Sequence, residues 1–299
     1  MQTHPLEFYP STQDIATVLR PVPSVLFADR AARFAALADG HSLSDWLRFL
    51  GRLTTAQHMA SLSLPGLSMP DADTLEQARD HGMPPLNASA LPRPPVWREV
   101  LRQLVQAVAA DAPQSAGSVL NGLMTADDAR LEALADLLLT GVPQPEDAAT
   151  LPFVAAALQV VFTTLASQLD VRQIKGIDAH GVCPVCGSLA VCSIVRLGAV
   201  VNNLRYLHCS LCNTEWNLSR ATCTTCNTDK GVALQELDGS NGAVRAETCD
   251  HCKSYLKMVY QEKDPLVDPV ADDLATLALD ILVDEAGYTR SGPNLLLFS

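Results

Sequence analysis

The sequence predicts a multi-domain α+β chain: a mainly all-helical N-terminal domain, two tandem zinc-ribbon-like β modules and a C-terminal helix packing back on the body. Three observations carry this. Apolar residues recur at helical spacing through the first 170 positions, four Cys-x-x-Cys pairs crowd between Cys183 and Cys252, and helical spacing returns after Pro269. The divisions fall at 1–175, 176–218, 219–262 and 263–299. A chain of 299 residues, 48% of them hydrophobic, can bury one large core or two modest ones.

In the first division, Phe27, Ala31, Phe34 and Ala38 follow Pro23-Ser24 at helical spacing, and Gly40 stops the run. Leu43, Trp46, Leu47, Leu50 and Leu53 form a second stripe. Residues 65–95, rich in Pro and Gly, read as a long connection with one short helix near Leu75. Pro94-Pro95 can open a helix carrying Trp97, Val100, Leu101, Leu104 and Val108, because the first helical turn needs no amide donor there. A further start is expected at Thr125, its hydroxyl capping the turn that ends at Asp128; Leu131, Leu134 and Leu138 follow, and Gly141 ends the run. Leu151 to Leu169 is long and apolar, but Gln159, Thr163, Thr164, Ser167 and Gln168 interrupt it, so it reads as a buried helix rather than a membrane span. These stripes are read as core packing.

The next two divisions change character. Ala190–Leu197 and Val232–Leu237 alternate as strands do, with turn signals at Asn202-Asn203 and from Asp238 to Gly242. Eight of nine cysteines form Cys183-x-x-Cys186, Cys209-x-x-Cys212, Cys223-x-x-Cys226 and Cys249-x-x-Cys252. The interval from Cys186 to Cys209 is 22 residues, as is that from Cys226 to Cys249, and the second set is the first displaced by 40. Under the same displacement Gly187 meets Asn227, Leu204 meets Val244, Arg205 meets Arg245 and Trp216 meets Leu256. Gly and Asn best tolerate positive φ, which a Cys-x-x-Cys knuckle needs just after its second sulfur. The pattern is an internal duplication, each copy a knuckle, a hairpin and a second knuckle closing on one ion.

Four thiolates so spaced select zinc, a mononuclear iron of rubredoxin type, or less often an iron–sulfur cluster; spacing alone does not separate iron from zinc. Sharing of one ion by the two middle knuckles stays open, since Cys212 and Cys223 lie ten residues apart, but the repeat favours sequential pairing. Structural disulfides and thioredoxin-like redox pairs fit less well, the first for an intracellular chain and the second for lack of a βαβ context. Cys192 pairs with Val232 across the repeat and reads as a small buried hydrophobe on a strand. His180, His208 and His251 lie near the knuckles and are assigned no metal role.

The last division opens at Pro269 with Leu274, Leu277, Ala278, Ile281 and Leu282 in one helix closed by Gly287. Net charge is −12, with 12 basic against 18 acidic residues in 1–175, 7 against 8 in 176–262 and 2 against 7 in 263–299. The cysteine region therefore lacks the Lys and Arg surplus a nucleic-acid reader needs. The sequence at Met1-Gln2-Thr3-His4-Pro5 has no export signal, which predicts a cytoplasmic location. No phosphate-binding, dinucleotide-binding, zinc-protease or serine-elbow motif is present, so the chain is expected to have no catalytic residues and not to be an enzyme.

Gly181-Val182-Cys183-Pro184-Val185-Cys186-Gly187-Ser188, Arg205-Tyr206-Leu207-His208-Cys209-Ser210-Leu211-Cys212 with Thr214-Glu215-Trp216, and Glu247-Thr248-Cys249-Asp250-His251-Cys252 with Tyr255-Leu256-Lys257 together resemble the formate dehydrogenase accessory proteins of the FdhE type. The resemblance is close over 175–262, loose at Gly287-Tyr288 and Gly292-Pro293-Asn294, and general over the helical half. It implies rubredoxin-like modules that bind two mononuclear ions, iron favoured and zinc the alternative, through the eight paired cysteines. It also implies a cytoplasmic maturation factor that binds the catalytic subunit of respiratory formate dehydrogenase without oxidising formate. The charge balance predicts no nucleic-acid partner and the interrupted 151–169 stretch no membrane insertion, while homo-oligomerisation stays open. A rubredoxin-type electron-transfer protein is the alternative reading.

Overall fold

The computed structural model describes residues 15–64, 66–141, 143–174, 179–197, 203–219 and 222–298. The expected division at 175/176, the N-terminal residues read for an export signal, Pro65 and Asn202 lie outside these. The helical part comprises α1 (Pro23–Ala38), α2 (Ser44–Ser63), α3 (Ala72–Asp80), α4 (Val96–Val108), α5 (Gly117–Thr125), α6 (Asp128–Thr140) and α7 (Leu151–Gln168). It is preceded by the two-residue strand β1 (Val18–Leu19).

At its centre is α7, on which α2, α4 and α6 pack. It is the one helix among those described that is long and apolar enough to cross a membrane, and 78% of it is buried inside the protein. Its polar residues explain why it sits there. Gln57 of α2 donates through Nε2 to Ala156 O (2.9 Å) and Gln159 Oε1 (3.0 Å), and Gln159 Nε2 donates to Ser210 O (2.8 Å), next to a cysteine pair. Both glutamines are fully buried, so each bond satisfies a group that would otherwise be desolvated without a partner.

The structure departs from the sequence pattern at the start of α6 and in the C-terminal run. Thr125 does not start a helix: it ends α5, with its hydroxyl donating back to Asn121 O (2.9 Å). The cap of α6 is Asp127, whose carboxylate accepts from the Arg130 amide (2.8 Å); a carboxylate beats a hydroxyl at a positively polarised helix start. The C-terminal run is not one helix but two, α8 (Ala271–Ala275) and α9 (Leu277–Glu285), broken at Thr276. Thr276 leaves the helical conformation (φ −118°, ψ 37°) and returns its hydroxyl to Asp272 O (2.8 Å), and the break turns Leu279 and Val283 inward while Ile281 and Leu282 face solvent.

The remaining strands are β2 (Ala190–Arg196), β3 (Leu204–Cys209), β4 (Glu215–Asn217), β5 (Val232–Gln235), β6 (Val244–Cys249), β7 (Ser254–Tyr260) and β8 (Thr289–Arg290). They form one sheet in the order β1-β4-β3-β2-β7-β6-β5, with β8 on β7. The duplication is visible in it. Displacing β3 by 40 residues gives β6, and β4 then falls inside β7. The copies are antiparallel three-stranded units with the same strand order, joined side by side where β2 runs parallel to β7 (Ser193 to Val195 beside Met258 to Tyr260).

The C-terminal tail closes the seam. Ser291 N–H donates to Tyr255 O (2.9 Å), and Gly292 then lies against Ala190 at an irregularity in the β2–β3 register. A Cβ at position 292 would overlap the Ala190 carbonyl oxygen, a backbone atom of a buried strand. Gly292→Ala is therefore expected to destabilise by about 3 kcal/mol, at the upper end of overpacking costs. Urea unfolding of the two proteins measures the difference, and an unchanged midpoint would contradict the close approach.

Candidate metal centres

The four Cys-x-x-Cys pairs adopt one local geometry. Each first cysteine opens a tight turn: Cys183 N–H donates to Ser188 O (2.8 Å), Cys209 to Thr214 O (2.9 Å) and Cys223 to Thr228 O (2.9 Å). The residue after each second cysteine has positive φ: Gly187 (81°), Asn213 (56°), Asn227 (58°) and Lys253 (54°). The repeat points to Gly187 and Asn227, and the structure adds Asn213 and Lys253. A lysine in this conformation costs about 1 kcal/mol. The fold offsets that by placing Lys253 Nζ 2.7 Å from Asp250 and over the Tyr288 ring.

These turns aim backbone amides at sulfur. Leu211 and Cys212 N–H both point at Cys209 Sγ (3.4 Å each), and Thr225 N–H at Cys223 Sγ (3.4 Å), which stabilises negative charge there.

The hairpins then bring the turns together in sequence order. Cys183, Cys186, Cys209 and Cys212 form one group and Cys223, Cys226, Cys249 and Cys252 another, the sulfurs of each lying within 4.8 Å of one another. In the first, Cys183 and Cys212 are 3.6 Å apart and Cys186 and Cys209 3.4 Å; in the second, Cys223 and Cys252 are 3.6 Å apart and Cys226 and Cys249 3.7 Å. A tetrahedral ion with metal–sulfur bonds of about 2.3 Å spaces its sulfurs about 3.8 Å apart. A disulfide needs about 2.05 Å. Both groups thus have the dimensions of a tetrahedral site and neither those of a disulfide.

Electrostatics favour the same reading. Burial, together with the neighbouring sulfurs, pushes the Cys183 and Cys209 thiols well up, whereas contacts from those neighbours hold Cys186 well down against its burial. Thiolates packed this closely in a buried group repel one another, a cost that a cation among them would relieve. In the second group, Cys252 is held to about 7 against its burial, chiefly by the Ser254 hydroxyl and amide. The donors are soft sulfur throughout, and among the described residues no imidazole or carboxylate joins either group, which fits zinc or iron.

Cys192 stands apart, as its place in the repeat suggests: it is buried on β2 with its sulfur 3.0 Å from Lys257 O. His180 and His251 are exposed. His208 is buried and turns away from the sulfurs, with Nδ1 3.0 Å from Glu215 Oε1 and Nε2 3.0 Å from Asn213 Oδ1.

Around His208 lies a network that sequence reading missed. Arg30 of α1, fully buried, donates to Asn213 Oδ1 (3.0 Å) and pairs with Asp268 (3.0 Å), tying the first helix to the second knuckle and to the C-terminal segment. The signal was present, because Arg30 sits three residues after Phe27 and four before Phe34, on the buried stripe itself. Arg196 clamps Glu215 with bonds of 2.5 and 2.6 Å. Burial would raise the Glu215 pKa, but hydrogen bonds from His208 and Arg196 hold it at about 2 against an ordinary 4.5. A depressed carboxylate stabilises fully above its unfolded value and loses that contribution as pH falls toward its folded one. Wild-type stability should accordingly fall between about pH 4.5 and about pH 2 more steeply than that of Glu215→Gln, by up to roughly 3 kcal/mol. Urea titrations across that range would show parallel slopes if the clamp were absent.

The chain resembles known proteins over most of its length. The FdhE N-terminal family model matches residues 15–178, the FdhE central domain 182–220 and the FdhE C-terminal domain 221–297. A protein FdhE homolog of Edwardsiella ictaluri is 41% identical over 285 residues, covering 95% of this chain and 92% of that relative. One from Haemophilus influenzae (strain PittEE) is 40% identical, with 92% of each chain covered. The crystal structure of the FdhE protein from Pseudomonas aeruginosa superposes with a TM-score of 0.85 at 37% identity, over 94% of this chain and 99% of that one. With its helical half, both tetracysteine groups and its C-terminal helices all matched, the chain belongs to the FdhE family.

Proposed function

We propose that this chain is a metal-binding accessory protein for the maturation of respiratory formate dehydrogenase, acting in the cytoplasm by binding that enzyme's catalytic subunit and catalysing no reaction itself. The observation that carries this is the pair of four-sulfur groups at tetrahedral spacing in a chain of the FdhE family. Cys183, Cys186, Cys209 and Cys212 would hold one ion, and Cys223, Cys226, Cys249 and Cys252 a second. Iron of rubredoxin type is favoured by the resemblance. It would supply a one-electron couple, whereas zinc in the same place would act only as a staple.

In this reading the residues themselves do structural work. The sulfurs fix the four turns, the turns fix the strands, and Gln159 and Arg30 fix the helical half against them. The result is a rigid surface on which a partner can dock without an ordering cost.

The test is elemental analysis and a visible spectrum of protein purified without chelators, followed by a pull-down with the formate dehydrogenase catalytic subunit. Two ions per chain, a ferric–thiolate colour and retention of the subunit are expected. A metal-free native protein, or one that fails to retain the subunit with both ions bound, would overturn the proposal.

A further inference from the structure

The duplication supplies an internal comparison: one unit twice, with the same sulfur geometry in two different surroundings. The first unit is covered by the helical half. The connection before α4 lies across its first knuckle, with Leu86 N–H donating to Val185 O and Ala88 N–H to Cys186 O (2.9 Å each). Pro84 packs over Gly187, and Gln159 of α7 holds the second knuckle at Ser210 O. All four of its cysteines are buried to 1% exposure or less.

At the matching positions of the second unit the described residues provide no such cover. Val185, Ser210 and Leu211, all buried, become Thr225, Asp250 and His251, all exposed. Cys226 and Cys252, the counterparts of Cys186 and Cys212, are only partly buried. The change is written in the sequence as well as the fold, since Thr225 and His251 replace the apolar Val185 and Leu211, and the charged Asp250 replaces Ser210, where the cover is missing.

Resting on the two-ion reading above, we infer that the two sites have different roles: the Cys183–Cys212 group retains its ion as part of the core, and the Cys223–Cys252 group is the exchange site, opening toward solvent at Cys226 and Cys252. An incoming chelator, or metal-ligating thiolates of a second protein, would reach the ion on this face alone. The cysteines that let go take up protons from water, and no oxidation is involved. At the first site the same displacement requires the 84–88 segment or α7 to lift first.

The test loads the full chain with two equivalents of zinc and follows transfer to a chromophoric pyridylazo chelator in excess. Two phases of one equivalent each are expected, separated by about tenfold or more in rate, the ratio that about 1.4 kcal/mol of extra opening cost produces. Cys226→Ser and Cys252→Ser should each remove the fast equivalent and keep the slow one, with the far-ultraviolet circular dichroism of the helices retained. Gln159→Ala should quicken the slow phase alone. A single phase for both ions, or a fast phase that survives in Cys226→Ser and Cys252→Ser, would overturn the assignment. Failure to take up two equivalents would instead overturn the two-ion reading itself.

Discussion

Cys209→Ser is expected to cost the protein one bound ion and the cooperative unfolding of its helical half together, whereas Cys249→Ser should cost one ion and leave the helices folded. Structural ions in small ribbons contribute roughly 10 kcal/mol or more to folding, which exceeds the net stability of most domains. The difference between the variants comes from what the sulfurs touch. Cys183, Cys186, Cys209 and Cys212 belong to the same apolar core as Phe27, Trp97 and the whole buried face of α7. Ala246 and Tyr255, beside the second group, instead join a small cluster with Leu279 and Val283 of α9. Thermal melts followed at the helical band, with metal content measured alongside, separate the two outcomes. Equal melts for both variants would show that the two groups support the fold alike.

The second large effect is expected at the buried charges between β7 and the C-terminal segment. Lys257, fully buried, lies 2.5 Å from Asp280 and 3.1 Å from Asp273, while Arg290 pairs with the same two carboxylates at 2.9 and 2.7 Å. Tyr255 OH donates to Asp280 (2.9 Å), and Asn294 Nδ2 to Asp273 (2.8 Å). Burial would raise the Asp273 pKa, but Arg290 and Lys257 win and hold it below the usual carboxylate range. Removing one partner leaves a charge stranded in the interior, and Asp273→Ala should cost about 3–5 kcal/mol. Replacing Asp273 and Lys257 together by Leu and Met should recover part of that loss, because the stranded ammonium goes too. Chemical denaturation of the three proteins tests this, and a double variant no better than the single one would mean that the pair is held by its other partners.

Much of this was legible in the sequence because the residues concerned report on local geometry. Gly187 and Asn227 mark turns, Pro23 and Pro95 mark helix starts, and equal intervals between cysteines mark a repeated hairpin. What stayed hidden depends on contacts between residues far apart in sequence. Arg30 meets Asn213 and Asp268 across about 180 and 240 positions, and neither partner carries a local signature of the bond. The break at Thr276 was hidden for a related reason. Periodicity alone runs Leu274 into Leu277, and only the buried ammonium of Lys257, taking up the Asp273 and Thr276 carbonyls, shows why the helix stops there. The exposure of Cys226 and Cys252 has only a faint local trace, Thr225 and His251 where the first copy has Val185 and Leu211, and its cause lies in the helical half covering one copy of the repeat alone among the described residues.

The parallel seam between β2 and β7 has a consequence for growth of the architecture. Copies related by a two-fold axis use up their matching edges, but copies related by a sideways shift reproduce the same edge at each step. The shift leaves β5 with the role β2 has at the seam: the first strand of its copy, with its outer backbone groups unpaired among the described residues. A third copy of the 40-residue segment would find there a ladder of matching polarity, so lengthening the chain by whole repeats would widen the sheet without redesigning it.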